Sequence, residues 1–155
     1  MTANPAVARH RPTPGIVRAG AVLALLPPDV DTLADYGAPS AELVHLRDRT
    51  DTVHVLAFPR GDGARRFGRR GRFRSVEGRQ RWDLHVRGGG AWTFHVQASL
   101  ATLRSPFTPC ALRWRGRRLA DERWSHDAAI GALRVSLRGR RGRLTVMGCE
   151  AAAAG

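Results

Sequence analysis

The chain has no lysine, one asparagine (Asn4), two isoleucines (Ile16 and Ile130) and two cysteines. Each shortage excludes something. Absent lysine beside plentiful Arg, Ala and Gly is the composition of a GC-rich coding sequence, which makes arginine the default outward residue. Two cysteines, Cys110 and Cys149, are too few for a disulfide framework. They form no CxxC spacing, so redox and zinc chemistry find no support. A bridge between them requires the last strand to lie beside the Cys110 strand; two buried thiols are the plainer reading. No apolar run is long enough to span a membrane. The longest, Ala19 to Pro28, is about one strand long. Arg9 and Arg11 precede it as in a signal peptide, but Arg18 adjoins the run. Pro27-Pro28-Asp29 closes it without a small-x-small cleavage site. That favours the cytoplasm.

What is present suits a globular protein of one domain, or one domain plus a fragment, at 155 residues. The net charge of +13 attracts polyanions, whatever its origin.

Residues 1–14 hold three prolines and no periodicity, and read as a flexible lead-in. Ile16 to Leu26 is apolar and short enough for buried strand. Pro27-Pro28 stops it, and Asp29 to Tyr36 suits a helical turn capped by Asp29 or Asp31. Gly37-Ala38-Pro39 is a loop. Beyond this the pattern has period two. Thr52 to Phe58 alternates, as do Arg81 to Arg87 and Ala91 to Gln97 around Gly88-Gly89-Gly90. The last two runs predict a β-hairpin. Ala111 to Arg115 is a further strand turned by Gly116. Ala132 to Leu137 and Gly142 to Met147, joined through Arg138–Gly142, predict a second hairpin. No segment sustains a helical period. Strands about every ten residues predict an all-β, antiparallel β-sandwich. In the first predicted hairpin Trp82, Leu84, Val86, Trp92, Phe94 and Val96 share the core face. Arg81, Asp83, His85, Arg87, Thr93, His95 and Gln97 share the wet one.

The chemistry-bearing residues fall into five sets. His54, His85 and His95 stand on polar strand faces and could share a metal only if their strands met within ligand distance; they read as surface histidines. Asp29, Asp31 and Asp35 include an i, i+4 pair, but nothing around them in sequence builds the cleft a glycosidase needs; they read as caps and loop acids. Ser99, Ser105, Ser125 and Ser136 lack any nucleophile context, and GxSxG, HExxH and P-loop spacings are absent. Arg60-Gly61-Asp62 matches an adhesion tripeptide of a length that chance supplies.

The Arg60–Arg74 cluster holds seven arginines with Phe67 and Phe73 between them. Charge with interleaved aromatics can bind single-stranded nucleic acid; the cluster reads as a solvated, arginine-biased hairpin. Trp82, Trp92, Trp114 and Trp124 are the right residues for a sugar platform. The first three, however, fall on apolar strand faces, which assigns them to the core. No catalytic, cofactor-binding or metal-binding residue is therefore assigned.

The order of several segments resembles family 31 glycoside hydrolases, the α-glucosidase and α-xylosidase group. Ile16-Val17-Arg18-Ala19-Gly20-Ala21-Val22-Leu23 is similar to the strand that follows their catalytic barrel. Val53 to Gly61 is similar to their strand ending in Pro-Gly. Ala111 to Leu119 and Trp124 to Val135 are similar to two later strands, in family order. The departures are His126 where tyrosine is usual, arginines around Phe67 where an acidic stretch is usual, and Ala24 in place of a proline. The resemblance implies the proximal and distal C-terminal β-sandwich region: residues 15–50 a remnant of the barrel-proximal part, 51–148 the sandwich, and 149–155 a disordered tail. It implies a catalytic (β/α)8 barrel domain or chain as partner, carrying the catalytic aspartates, with this chain a fragment or subunit giving structural support. Carbohydrate and nucleic acid remain alternative partners, as a free-standing carbohydrate-binding module or an arginine-rich nucleic-acid binder. The barrel-facing apolar patch is expected at Ile16 to Leu26.

Overall fold

The structure, a computed structural model, describes residues 16–25, 52–67 and 70–149. The lead-in, the turn at Asp29–Tyr36 and the loop at Gly37–Pro39 lie outside the described residues, as do Asp29, Asp31, Asp35, Arg69 and the last six residues. Nine strands are described: β1 (Val22–Leu25), β2 (Thr52–Ala57), β3 (Gly63–Phe67), β4 (Gly71–Gly78), β5 (Arg81–Ser99), β6 (Pro109–Trp114), β7 (Arg117–Arg118), β8 (Trp124–Asp127) and β9 (Ala132–Gly148). Short 3-10 turns at Leu100–Thr102 and Asp121–Arg123 interrupt them. The fold is the expected all-β sandwich.

The strand pairing differs from both predicted hairpins. Arg81–Arg87 and Ala91–Gln97 are two halves of the single strand β5, and Ala132–Leu137 and Gly142–Met147 are two halves of β9. These long strands run antiparallel to each other, from Arg81 opposite Met147 to Ser99 opposite Ala132. The register shifts between Arg87 and Trp92, so Gly88–Gly90 belong to a bulge and not to a hairpin turn. A glycine run serves either purpose, and local pattern does not say which strand a run pairs with. One ladder is parallel: β2 lies beside the second half of β5, Val53 opposite Phe94.

Both long strands bend, which makes one hydrogen-bonded sheet into two layers. Phe73 pairs with Val86 in the first half of β5, eight residues before Phe94. A straight strand would separate those positions by roughly 26 Å. Instead the Phe73 and Phe94 rings lie 6.3 Å apart, edge to face. Layer one is therefore β3, β4, the first half of β5, the second half of β9, β6 and β7. Layer two is β1, β2, the second half of β5, the first half of β9 and β8.

The core between the layers follows the alternation. Trp82, Leu84, Val86, Phe94 and Val96 are buried, and Trp92 is half-buried against them. Leu133, Val135 and Leu137 face inward on odd positions, whereas Leu144 and Val146 do so on even ones. The phase changes across Gly139 and Arg140, where β9 bends. The buried Trp82 indole donates its N–H to Ser75 Oγ at 2.8 Å, so the largest core side chain leaves no unpaired donor.

Two further devices fasten the fold, the first across the layers and the second within layer one. The Glu77 carboxylate, at the end of β4, accepts backbone N–H groups from Gly61, from Arg104 at 2.6 Å and from Ser105 at 3.3 Å. It thus fastens the crossover between β2 and β3 to the loop after β5. Cys110 and Cys149 form a disulfide with Cα atoms 4.9 Å apart. The reading of two free buried thiols is corrected: β9 lies beside β6, with Pro109 opposite Gly148, and Cys149 is exposed. Sequence spacing carries no information about that neighbour relation.

Candidate functional site

The outward face of layer one is paved with arginine. Alternation in β4 turns Phe73 and Ser75 inward, and therefore Arg72 and Arg74 outward. The ladders then line these up with residues far away in sequence. Arg66, Arg72, Arg87 and Arg141 occupy one row across β3, β4, β5 and β9. Arg74, His85 and Arg143 occupy the next row. The Arg115 N–H bonds to the Arg143 carbonyl at 3.0 Å, which places the β6–β7 turn at the end of that second row. Neighbouring strands lie about 4.8 Å apart and residues i and i+2 about 6.8 Å apart. The first row thus spans about 14 Å. A shallow depression of about 580 Å³ opens among Arg72, Arg74, His85, Arg87, Arg115 and Arg141.

The acids nearby are few and engaged. Asp83 is largely buried on the same face, in the third row. It receives the Thr145 hydroxyl at 2.6 Å and the Arg81 guanidinium at 2.9 Å. Arg143 comes within 4.0 Å of it, and Arg74 within 3.9 Å of Asp62. Arg66, Arg72, Arg87, Arg115 and Arg141 have no carboxylate within ion-pair distance among the described residues. Chemically this is an open surface of planar forked donors suited to carboxylate, sulfate or phosphate oxygens.

The aromatics once counted with this cluster belong elsewhere. Phe67 and Phe73 stack at 4.2 Å on the inward side, and Phe73 is fully buried. Phe67 is half-buried against it, so neither ring stands on the arginine face. The charge of Arg60–Arg74 is legible in the sequence; that Arg87, Arg115, Arg141 and Arg143 join it is not. Their phase was readable, since Arg87 follows inward Val86 and Arg143 precedes inward Leu144. Which strands stand side by side was not.

The histidines separate into two groups. His54 and His95 are register partners on layer two, with rings 5.0 Å apart, and His95 Nδ1 lies 2.8 Å from Ser136 Oγ. His85 stands on layer one between Arg74 and Arg143. Among the described residues no three His, Cys, Asp or Glu side chains gather as a metal site would require. Ser99, Ser105 and Ser125 meet no histidine in any hydrogen bond described. All four tryptophans pack on the core, Trp82 fully and Trp92, Trp114 and Trp124 in part. No helix among the described residues is long and apolar enough to cross a membrane.

On layer two β1 exposes Leu25, and the approach to it exposes Ile16 and Val17, while Val22 is buried. The segment expected as an apolar surface is thus part core and part surface.

The fold defines the class first: a bent, mixed but mostly antiparallel sheet closed into a sandwich. No known family's sequence profile matches the chain, and no curated protein matches it. Solved structures do. Two of a Flavobacterium johnsoniae GH31 dextranase, one a mutant complexed with isomaltotriose and one complexed with glucose, each superpose with a TM-score of 0.55 at 11% identity. The match covers 85% of this chain and 19% of the dextranase chain. The chain thus spans about a fifth of the protein it is similar to.

Proposed function

We propose that this chain is the non-catalytic C-terminal β-sandwich region of a family 31 type glycoside hydrolase. Its role is to support a catalytic (β/α)8 barrel, on the same polypeptide or on a partner chain. The observation that carries this reading is the likeness of most of the chain to a small part of a dextranase. The ordered motifs support it independently of that superposition. Val53–Gly61 runs along β2 into the crossover, Ala111–Leu119 forms β6 and β7, and Trp124–Val135 runs through β8 into β9. On this reading residues 15–50 belong to the barrel-proximal region and 51–148 to the sandwich proper. The catalytic acid and nucleophile belong to the barrel.

A free-standing sugar-binding module gains nothing from the tryptophans, which are engaged with the core. The purified chain, incubated with 4-nitrophenyl α-glucoside or dextran, is expected to release no nitrophenol or glucose above buffer. Its tryptophan emission is expected to stay unchanged with millimolar isomaltose. Turnover by the chain alone would overturn the reading.

A further inference from the structure

We infer that the arginine face of layer one binds an acidic polysaccharide, a sugar polymer bearing repeated carboxylate groups. The choice of a sugar polymer rests in part on the proposed function; the choice of an anion rests on the face itself.

Composition alone would scatter arginine evenly over outward positions, and it does not. The same two strands supply both layers. On layer one the outward residues of β5 and β9 include His85, Arg87, Arg141 and Arg143. On layer two the corresponding stretches carry Thr93, His95, Gln97 and Ser136, with Arg134 and Arg138 apart. The arginines are thus concentrated where four strands and a turn bring them into rows. A protein partner would need apolar anchors at the centre of the patch, where charge is depleted in such interfaces; this face offers none. Nucleobase stacking would need exposed aromatics on this face; Phe73 is buried and Phe67 is half-buried on the opposite side of the sheet. The disulfide between Cys110 and Cys149 is the chemistry of an oxidising compartment and argues against the cytoplasm that the lack of a cleavage site favours. Outside the reducing cytosol, acidic glycans are available polyanions. A linear polymer laid along the first row can meet Arg66, Arg72, Arg87 and Arg141 in turn, with Arg74 and Arg143 flanking it.

The test titrates the intact chain with polygalacturonate by fluorescence anisotropy, with dextran and poly(dT) as comparison polymers, at about 50 and 200 mM salt. Binding to polygalacturonate is expected, weakening by about tenfold or more as salt screens it. No binding to dextran is expected. The triple variant Arg72→Glu, Arg87→Glu, Arg141→Glu is expected to weaken binding at least about tenfold. The variant Arg79→Glu, Arg123→Glu, Arg134→Glu changes net charge equally off the face and is expected to weaken it far less. Should the first variant misfold by circular dichroism, Arg72→Gln, Arg87→Gln, Arg141→Gln replaces it. Equal losses in the on-face and off-face variants would show mere net-charge attraction and overturn the inference. So would the absence of binding at low salt. Tighter binding to poly(dT) than to polygalacturonate would replace the glycan with nucleic acid, and would leave the glycoside-hydrolase reading to its own test.

Discussion

Replacing Trp82 with alanine is expected to lower the free energy of unfolding by about 3–5 kcal/mol. Trp82 is the largest fully buried side chain and sits on the first half of β5, against the second half of β9 through Val146. Truncation removes its apolar area and leaves a cavity that two hydrogen-bonded layers cannot easily close. It also strands the Ser75 hydroxyl, itself buried, without its indole partner. A domain of this size has about 5–15 kcal/mol of stability in total, so the variant is expected to lose a large share of it. Urea unfolding followed by far-ultraviolet circular dichroism checks this without relying on tryptophan emission. Trp82→Phe keeps much of the ring volume and is expected to cost less. A loss below about 1 kcal/mol for Trp82→Ala would mean that the space between the layers is not tightly filled there.

The second large effect is expected from Cys149→Ser. The bridge to Cys110 closes a segment of 39 residues and ties the end of β9 to the start of β6. Its removal is expected to cost about 2–4 kcal/mol, through the greater freedom of the unfolded chain. Cys110→Ser should cost a similar amount, and the double variant no more than either alone, because one bond is lost in each case. Non-additivity of that kind separates loss of the bridge from loss of two unrelated packing contacts. Dithiothreitol should reproduce the effect in the native protein and leave the double variant unmoved. Equal unfolding midpoints with and without reductant would show that the bridge contributes nothing.

Which side chains face the core was written in the alternation of the strands. Leu84, Val86, Phe94 and Val96 could be placed inside before any pairing was known, because period two fixes a residue's face locally. How strands pair is not local. Gly88-Gly89-Gly90 suits a tight turn as well as it suits a bulge in a bending strand, and only the partner β9 distinguishes them. The parallel ladder of β2 and β5 and the Cys110–Cys149 bridge were hidden for the same reason. The arginine face shows the division within one site. Arg72 and Arg74 were legible as outward, since Phe73 between them is inward. That Arg87 and Arg141 stand beside Arg72 follows from the ladders of β4, β5 and β9, which bring together positions up to about seventy residues apart.

The proposed function rests on one claim: a catalytic (β/α)8 barrel, on the same polypeptide or on a partner chain, carries the chemistry that this sandwich supports. Affinity purification of the chain from the cells that produce it, under non-denaturing conditions, tests that claim most directly. Mass spectrometry of the purified material should identify a (β/α)8 glycoside hydrolase, on the same polypeptide or as a stoichiometric partner, and the material should hydrolyse an α-glucan. Recovery of the chain with no such barrel and no glycosidase activity would contradict it.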